Sequence, residues 1–345
     1  MDLQGYFQEF HDRIKISDVK QDDLREKRDI LLNIIRNTEG IPGFDEFDQG
    51  SYAMFLGVNP VGEDREYDID VALRFNVNKD DYEPLDIKRS IRDALKNHTE
   101  YGAVIKKPCV TVTYMKNGSA EYHVDLVPYS YVDKDDHNSQ MYLVFGKESS
   151  SEDEVIWEKA DPVGLVDYIN DKITNVTDRK QFRRVVKYLK RWKHLKFSSN
   201  GHGEPPSIGI TLIAVDSFNP ADNDDLQALL NTVKHIQSQF SYKEYDIDNN
   251  RYLYQIIYPL PWSLRFESGH NVFEKMSIKQ MTTFKEKVDK LVNDLQTVQD
   301  EPDLVKQCKK LRDIFGDSFS IPEAKEVSKT QMNYIPRSTA SGFGR

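Results

Sequence analysis

Cysteine is scarce in this chain, and its scarcity excludes two kinds of site. Cys109 and Cys308 are the two cysteines among 345 residues, and they lie in opposite halves of the sequence. They cannot build a disulfide framework or a cysteine zinc site. The eight histidines are scattered without paired ligand spacing, so we expect no structural zinc. Two unpaired cysteines are typical of the reducing cytoplasm, which is the compartment we expect.

A basic surplus is also missing. Lysine and arginine total 47 against 57 aspartates and glutamates, which leaves a formal net charge of −10. Proteins that hold long nucleic acids by counterion release usually carry the opposite balance, so this composition disfavours such a partner. Short nucleotides stay open as ligands, because metal ions and a few lysines can hold a triphosphate on an acidic protein.

Long hydrophobic runs are absent as well. No uncharged run approaches the roughly 20 apolar residues that a membrane span needs. The opening MDLQGYFQEFHDRI carries charge throughout and has no apolar core of the kind found in secretory signals. We therefore expect neither a membrane partner nor secretion. No internal repeat is visible at a period of 20 to 50 residues.

The remaining pattern divides the chain into two halves and a tail. Helical periodicity in the first forty residues gives way to strand-like alternation between 44 and 129, with one helix among the strands. We predict surface loops for the polar stretch 131–161, and after it apolar residues recur mostly at helical spacing. We predict an α+β fold with a core at 1–165, a helical lobe at 166–319 and a mobile tail at 320–345.

Paired carboxylates are the most informative feature. On a strand, residues i and i+2 point the same way, so Asp68 and Asp70 share one face while Ile69 and Val71 face the core. Two carboxylates aimed together repel unless a cation lies between them, which favours a divalent metal such as Mg²⁺. With 57 acidic residues, such a pair also arises readily by chance on a solvated strand.

Two neighbouring features strengthen the metal interpretation. Gly50 and Ser51 follow a strand-like run and precede a potential helix start, which would turn backbone N–H groups and a hydroxyl towards an anion. Asp125 lies in a later strand of alternating character and would complete a carboxylate triad, although a solvated strand face explains it equally well alone. Three such acids suit two metal ions that activate a hydroxyl and neutralise a leaving pyrophosphate.

These motifs resemble those of the polymerase-β-like nucleotidyltransferase superfamily. The forms QGSYAMFLGVNP, EYDIDVAL and YHVDLVP are similar to those of the bacterial CD-NTases, relatives of cyclic GMP-AMP synthase that act in the CBASS anti-phage systems. The resemblance implies a mixed-sheet nucleotidyltransferase core, a helical lobe and an active site in the cleft between them. It also implies a cyclic di- or trinucleotide product made from ATP, GTP or pyrimidine triphosphates with two Mg²⁺ or Mn²⁺ ions.

The resemblance extends to individual site residues. Asp68, Asp70 and Asp125 would be the catalytic metal ligands, and Gly50 and Ser51 would seat the triphosphate. A helix ending in Lys-x-Trp supplies a lysine in this family, which corresponds to Lys190, and the Pro-Ser element that follows corresponds to Ser207. The alternatives are a solvated basic face for Lys190 and a helix cap for Ser207.

Other interpretations stay open from sequence alone. A template-independent enzyme making linear products would use the same motifs, and so would a catalytically silent nucleotide-binding regulator. The zinc-binding insertion of the animal DNA sensor has no counterpart here, which argues against activation by double-stranded DNA. Some family members are conjugated through their C-terminus by a ubiquitin-ligase-like partner, and the tail ending at 341–345 is a candidate for this.

Overall fold

A computed structural model describes residues 1–61, 67–116, 119–136, 139–198, 203–260 and 271–323. The helices in these ranges are α1 (Leu3–Ile14), α2 (Asp18–Arg36), α3 (Gly50–Ala53), α4 (Pro84–Leu95), α5 (Pro162–Asp171), α6 (Val176–Lys196), α7 (Ser207–Ser217), α8 (Asp225–Ser238), α9 (Ile278–Gln299) and α10 (Leu304–Phe315). The strands are β1 (Phe44–Gln49), β2 (Tyr67–Asn78), β3 (Ala103–Ile105), β4 (Val110–Lys116), β5 (Ser119–Tyr131), β6 (Met141–Phe145), β7 (Ile156–Ala160), β8 (Ser241–Asp246) and β9 (Arg251–Gln255).

Strands β1 to β7 form one mixed sheet. Its main order is β1-β2-β5-β4-β3, and β6 joins the far end of the long strand β5 and pairs with β7. Strands β2 and β5 run parallel, whereas the other pairs described in this sheet are antiparallel. Strands β8 and β9 form a separate hairpin in the helical half. The predicted α+β class is confirmed.

Strict alternation along β2 explains how the sheet acquires one dry face. Ile69, Val71, Leu73 and Phe75 are fully buried against apolar residues of α2 and α4. Their neighbours Asp68 and Asp70 point to the opposite face, because successive strand residues alternate sides. Burial of the odd-numbered residues thus fixes the direction of both carboxylates.

The interpretation of 131–161 as surface loops was wrong. Strands β6 and β7 lie within it and add two strands to the sheet. Val144 is fully buried, while the residues around the strands are acidic and exposed. Because the strands are short and their flanks are polar, composition over the whole stretch hides them.

The first helix packs with the helical half rather than with the sheet. Phe7, Phe10 and Ile14 of α1 are fully buried in one hydrophobic core with residues of α6, α8, α9 and α10. The expected domain boundary near residue 165 stays a prediction. Although α1 precedes that boundary in sequence, it packs against helices that follow it. The tail at 324–345, with its conjugation candidate, lies outside the described residues.

A further core joins the two halves behind α3. Met54 and Leu56, in the segment after α3, are buried with Phe182 and Val186 of α6 and with residues of α5 and α7. The Gly50–Ser51 turn is therefore anchored to the helical half as well as to the sheet. Among the described helices, none has the length and apolar character needed to cross a membrane.

Candidate active site

Gly50 begins the short helix α3 directly after β1, in a position that suits only glycine. Its φ is +62°, a left-handed conformation that side-chain-bearing residues rarely adopt. A Cβ placed there would also overlap with a carboxylate oxygen of Asp70. The absence of a side chain at Gly50 therefore allows the backbone of the turn to lie against the Asp70 carboxylate, and Ser51 follows at once.

The sheet brings the three predicted acids to one place. In the parallel pairing of β2 with β5, Asp70 lies opposite Asp125 and Asp68 lies opposite His123. Partners in neighbouring strands are separated by about 4.8 Å and share a face. Gln49, the last residue of β1, lies opposite Asp70 on the other side. Asp70 thus occupies the centre of the group.

Asp125 is held by two neighbouring side chains, those of Thr111 and His123. The Thr111 hydroxyl of β4 donates to Asp125 Oδ1 at 2.5 Å, and Thr111 lies opposite Asp125 in the antiparallel register. His123 Nε2 lies 3.5 Å from Asp125 Oδ2. His123, two residues before Asp125 on β5, thus lies beside the triad. Both oxygens of Asp125 therefore have a fixed orientation.

The carboxylates differ in their proton affinity. Burial, reinforced by the charges of Asp68 and Asp125, raises the pKa of Asp70 to about 8. Burial would also raise the pKa of Asp125, but hydrogen bonds from His123 and Thr111 outweigh it and hold that pKa below its usual value. Without a cation, Asp70 is thus largely protonated at neutral pH beside an ionised Asp125.

These residues suit a divalent metal by their chemistry. Three carboxylates supply the hard oxygen donors that Mg²⁺ and Mn²⁺ prefer, and a bound cation would oppose the burial and the neighbouring charges that raise the pKa of Asp70. In the described part of the chain, no three His, Cys, Asp or Glu side chains already have their donor atoms gathered around one point. Metal binding would require loss of the Asp70 proton.

The helical half contributes a lysine and a serine. Lys193 of α6 donates from Nζ to the Ser207 hydroxyl at 2.6 Å and pairs with Glu204 at 2.5 Å. Ser207 is the first residue of α7, whose N-cap is Pro206, and its hydroxyl accepts from Lys193 instead of capping the helix. The helix-cap alternative for Ser207 is therefore wrong. Lys193 was not among the predicted site residues.

Lys190 occupies a more interior position on the same helix. Its Nζ donates to the Leu56 carbonyl at 2.9 Å, in the segment that follows α3. Burial lowers the pKa of Lys190 to about 8, while the charges of Asp68 and Asp70 act in the opposite direction. The solvated-face alternative is excluded for Lys190, since the residue is buried. Its predicted role at the phosphates stays a prediction.

One cavity of about 530 Å³ brings most of these groups together. Its lining includes Gly50, Ser51, Asp68, Asp70, Lys190, Lys193 and Ser207. The sheet half supplies the acids and the turn, whereas the helical half supplies the two lysines and the serine. Asp125 is absent from the residues lining this cavity, and it joins the group through its pairing with Asp70.

A second cavity of about 510 Å³ lies on the other side of Gly50 and Asp70. Its walls are largely apolar, with Leu143, Leu165, Leu260 and Val272 among them. Tyr129 also lines it and donates its hydroxyl to Gln49 Oε1 at 2.9 Å. Strand β6, which composition had hidden, contributes Leu143. Asp70 therefore borders both the polar cavity and the apolar one.

Comparisons with known proteins agree with this geometry. Residues 45–129 match the nucleotidyltransferase domain of the cyclic GMP-AMP synthase DncV-like family. A curated cyclic GMP-AMP synthase of Escherichia albertii is 24% identical over 184 residues, which are 51% of this chain and 38% of that protein. The chain therefore spans well under two thirds of the curated relative that it matches.

Solved structures show the same fold over almost the whole chain. The Vibrio cholerae DncV cyclic AMP-GMP synthase bound to nonhydrolyzable GTP has a TM-score of 0.71 at 15% identity, covering 94% of this chain and 100% of that one. The Bradyrhizobium diazoefficiens CD-NTase CdnG bound to GTP has a TM-score of 0.68 at 16% identity, covering 96% and 99%.

The fold and the arrangement of acids together define a nucleotidyltransferase core joined to a helical lobe. Within that class, residues 45–129 match the DncV-like nucleotidyltransferase domain, and the whole chain has the fold seen in the solved bacterial CD-NTases. The resemblance predicted from the sequence motifs is confirmed.

Proposed function

We propose that this protein joins nucleoside triphosphates, with release of pyrophosphate, into a cyclic di- or trinucleotide. The observation that carries the proposal is the convergence of Asp68, Asp70 and Asp125 on neighbouring strands beside the Gly50–Ser51 turn. Phosphoryl and nucleotidyl transfer depend mainly on positioning and charge neutralisation, and this group offers both. The DncV-like family match supports the cyclic product.

Asp68 and Asp70 would hold both of two divalent ions, and Asp125 would help to hold the ion that activates the acceptor hydroxyl. When bound, such ions lower the pKa of a hydroxyl nucleophile and neutralise the departing pyrophosphate. Asp125 suits its role because Thr111 and His123 hold its carboxylate ionised and oriented. Asp70 would release its proton when it binds an ion, since its high pKa arises from burial and uncompensated neighbouring charge.

The phosphates of the donor nucleotide would lie in the polar cavity. Ser51 and the backbone of Gly50 border it from the sheet half, and Lys193 and Ser207 border it from the helical half. An incoming phosphate would displace Glu204 from Lys193, exchanging one anionic partner for another. Lys190, fixed to the Leu56 carbonyl, would place a second positive charge behind the turn.

The apolar cavity is the natural place for nucleobases. Its volume of about 510 Å³ and its leucine and valine walls suit flat aromatic rings, and it adjoins Asp70 directly. Location between the sheet and the helical half would let both halves orient two nucleotides for ring closure. A role in anti-phage signalling, and attachment of the tail to a ubiquitin-ligase-like partner, are further parts of the proposal that follow from family resemblance.

Product analysis tests the proposal. The purified protein is incubated with the four ribonucleoside triphosphates and Mg²⁺ or Mn²⁺, treated with phosphatase and examined by mass spectrometry. A phosphatase-resistant product without free ends, absent from the Asp68→Asn/Asp70→Asn variant, is the expected result. Linear products would show that the protein is a template-independent nucleotidyltransferase rather than a cyclase. Nucleotide binding by calorimetry without turnover, under all these conditions, would favour a silent regulator.

A further inference from the structure

A second concentration of positive charge lies outside the catalytic cavity. A separate cavity of about 370 Å³ opens between α1 and α6, and Lys180, Arg183, Arg184 and Lys187 line it. Arg183 and Arg184 each lie three or four positions from both Lys180 and Lys187, so the four residues share one side of α6. The chain has a net charge of −10, so the charge around this cavity is opposite in sign to that of the chain as a whole.

The carboxylates of the chain compensate this cluster only in part. Arg184 makes two hydrogen bonds of 2.7 Å to the buried Asp225, which neutralises its charge. Among the described residues, no carboxylate lies within ion-pair distance of Lys180, Arg183 or Lys187. Asp12 also lines the cavity, but it pairs with Lys15 at 2.8 Å. Within the described ranges, three cations therefore face the cavity without an acidic partner.

Lys187 lies deepest in the cluster. Its side chain is buried, and its Nζ lies 3.4 Å from Nε2 of His11 in α1. Burial lowers the pKa of Lys187 to about 8, and burial together with Lys187 lowers that of His11 to about 4. At neutral pH the imidazole is thus uncharged while the ammonium is largely charged. A desolvated ammonium without a counter-ion is unfavourable, and a bound anion would relieve this cost.

Phe55 connects this cavity to the catalytic region. Its φ of +59° is uncommon for a bulky residue, and its side chain is 59% exposed under the Arg183 guanidinium, 4.6 Å from the ring centroid. A small cavity of about 110 Å³ lies between the polar cavity at the acids and the basic cavity. Its lining includes Ser51, Asp68, Phe55 and Lys187. Phe55 and Lys187 border both the small cavity and the basic one.

We infer that the cavity formed by Lys180, Arg183 and Lys187 binds a polyphosphate anion, either inorganic pyrophosphate or the phosphate chain of a nucleotide. Several cations around one small cavity match a ligand with several charges on neighbouring groups better than a single carboxylate. The inference rests on this cluster and does not depend on the proposed catalytic activity. If the enzyme releases pyrophosphate at Asp68, the site lies along its route to solvent.

Calorimetric titration with pyrophosphate in the presence of EDTA tests the site without metal-dependent catalysis. The Lys180→Gln/Arg183→Gln pair, which changes half-buried and exposed residues, should weaken binding at least about tenfold, as expected for lost charge-assisted contacts. Lys193→Gln, which alters the catalytic cavity, and Lys306→Gln, an exposed lysine of α10, should each leave the affinity within about twofold. Lys187→Met should weaken binding as the pair does.

Distinct results would overturn the inference. No pyrophosphate binding by the wild type would exclude the site, and loss confined to Lys193→Gln would assign the binding to the catalytic cavity. Competition by ATP but not adenosine would show that the site also accepts a nucleotide's phosphates, whereas displacement by pyrophosphate alone would identify the free anion as its ligand. Binding of duplex nucleic acid with no binding of pyrophosphate would replace a small-molecule site with a polymer surface. Because turnover is not read out, none of these results depends on whether the protein is a cyclase.

Discussion

Gly50 meets two demands at the residue scale, one from its own backbone and one from a neighbour. Its positive φ disfavours any side chain, and the Asp70 carboxylate occupies the space where a Cβ would lie. Gly40 offers a matched comparison, since its φ is +85° and nothing lies within 4 Å of its would-be Cβ. The two glycines therefore separate backbone strain from displacement of the catalytic carboxylate.

We expect Gly50→Ala to lower nucleotidyl transfer about a hundredfold, because a small displacement of a catalytic group can cost that much. Gly40→Ala should lose about 1 kcal/mol of stability from the same backbone strain and keep its activity. Initial rates and thermal unfolding of both variants provide the measurement. Equal losses of activity in the two variants would show that strain alone accounts for the effect.

Thr111 illustrates a contribution that spacing along the sequence does not reveal. Thr111→Val keeps the shape of the side chain but removes the hydroxyl that Asp125 accepts from. We expect metal affinity and turnover to fall by about 10- to 100-fold, the usual effect of losing a partner that orients a metal ligand. Thr111→Ser keeps the hydroxyl and should recover most of both. Mn²⁺ titration and initial rates would measure this, and a serine variant as impaired as the valine one would contradict it.

The acids could be predicted from sequence because strand alternation alone fixes their direction. The choice between Lys190 and Lys193 could not be made this way. They are three positions apart on α6, so both lie on the same side of the helix and both border the polar cavity. Only the position of Ser207, set by packing of α7, shows which lysine contacts it.

At the scale of elements, sequence patterns predicted the long helices and the central strands well. They failed for β6 and β7, which are five residues each and lie between acidic, exposed segments. Short strands are stabilised mainly by pairing with neighbouring strands, and the composition of a short segment does not reveal that pairing. The same strands contribute Leu143 and Glu158 to the apolar cavity, so the missed elements matter for the site.

The packing of α1 on α6 should make stability depend on pH. The pKa of His11 is about 4 in the folded chain, mainly through burial and then through Lys187, against 6.5 when unfolded. Between these values the unfolded chain binds more protons, so the free energy of unfolding should decrease as pH falls from about 6.5 to 4. His11→Gln should make the profile flatter in that range. Urea unfolding at several pH values tests this, and an unchanged slope would assign the acid sensitivity to other groups.

At the scale of the whole molecule, the polar cavity is lined by both halves of the chain. A nonhydrolysable nucleoside triphosphate with Mg²⁺ should therefore stabilise the protein as a unit. At a ligand concentration about a hundred times Kd, we expect the free energy of unfolding to rise by roughly 2.7 kcal/mol. Tm should then increase by several degrees. Lys193→Gln/Ser207→Ala should reduce this shift at equal ligand concentration. A shift that is the same in the variant would show that the helical half does not hold the phosphates.

The packing of α1 against later helices also affects when the core around it can form. The aromatic residues of α1 precede their partners in α8, α9 and α10 along the chain, and the whole mixed sheet lies between them in sequence. The core that buries Phe7 and Phe10 therefore depends on contacts between residues far apart in the sequence, which form slowly because a long loop must close first. Until α8, α9 and α10 have been made, Phe7 and Phe10 lack part of the core that buries them, and a chain cut before α10 would expose apolar surface to chaperones and proteases.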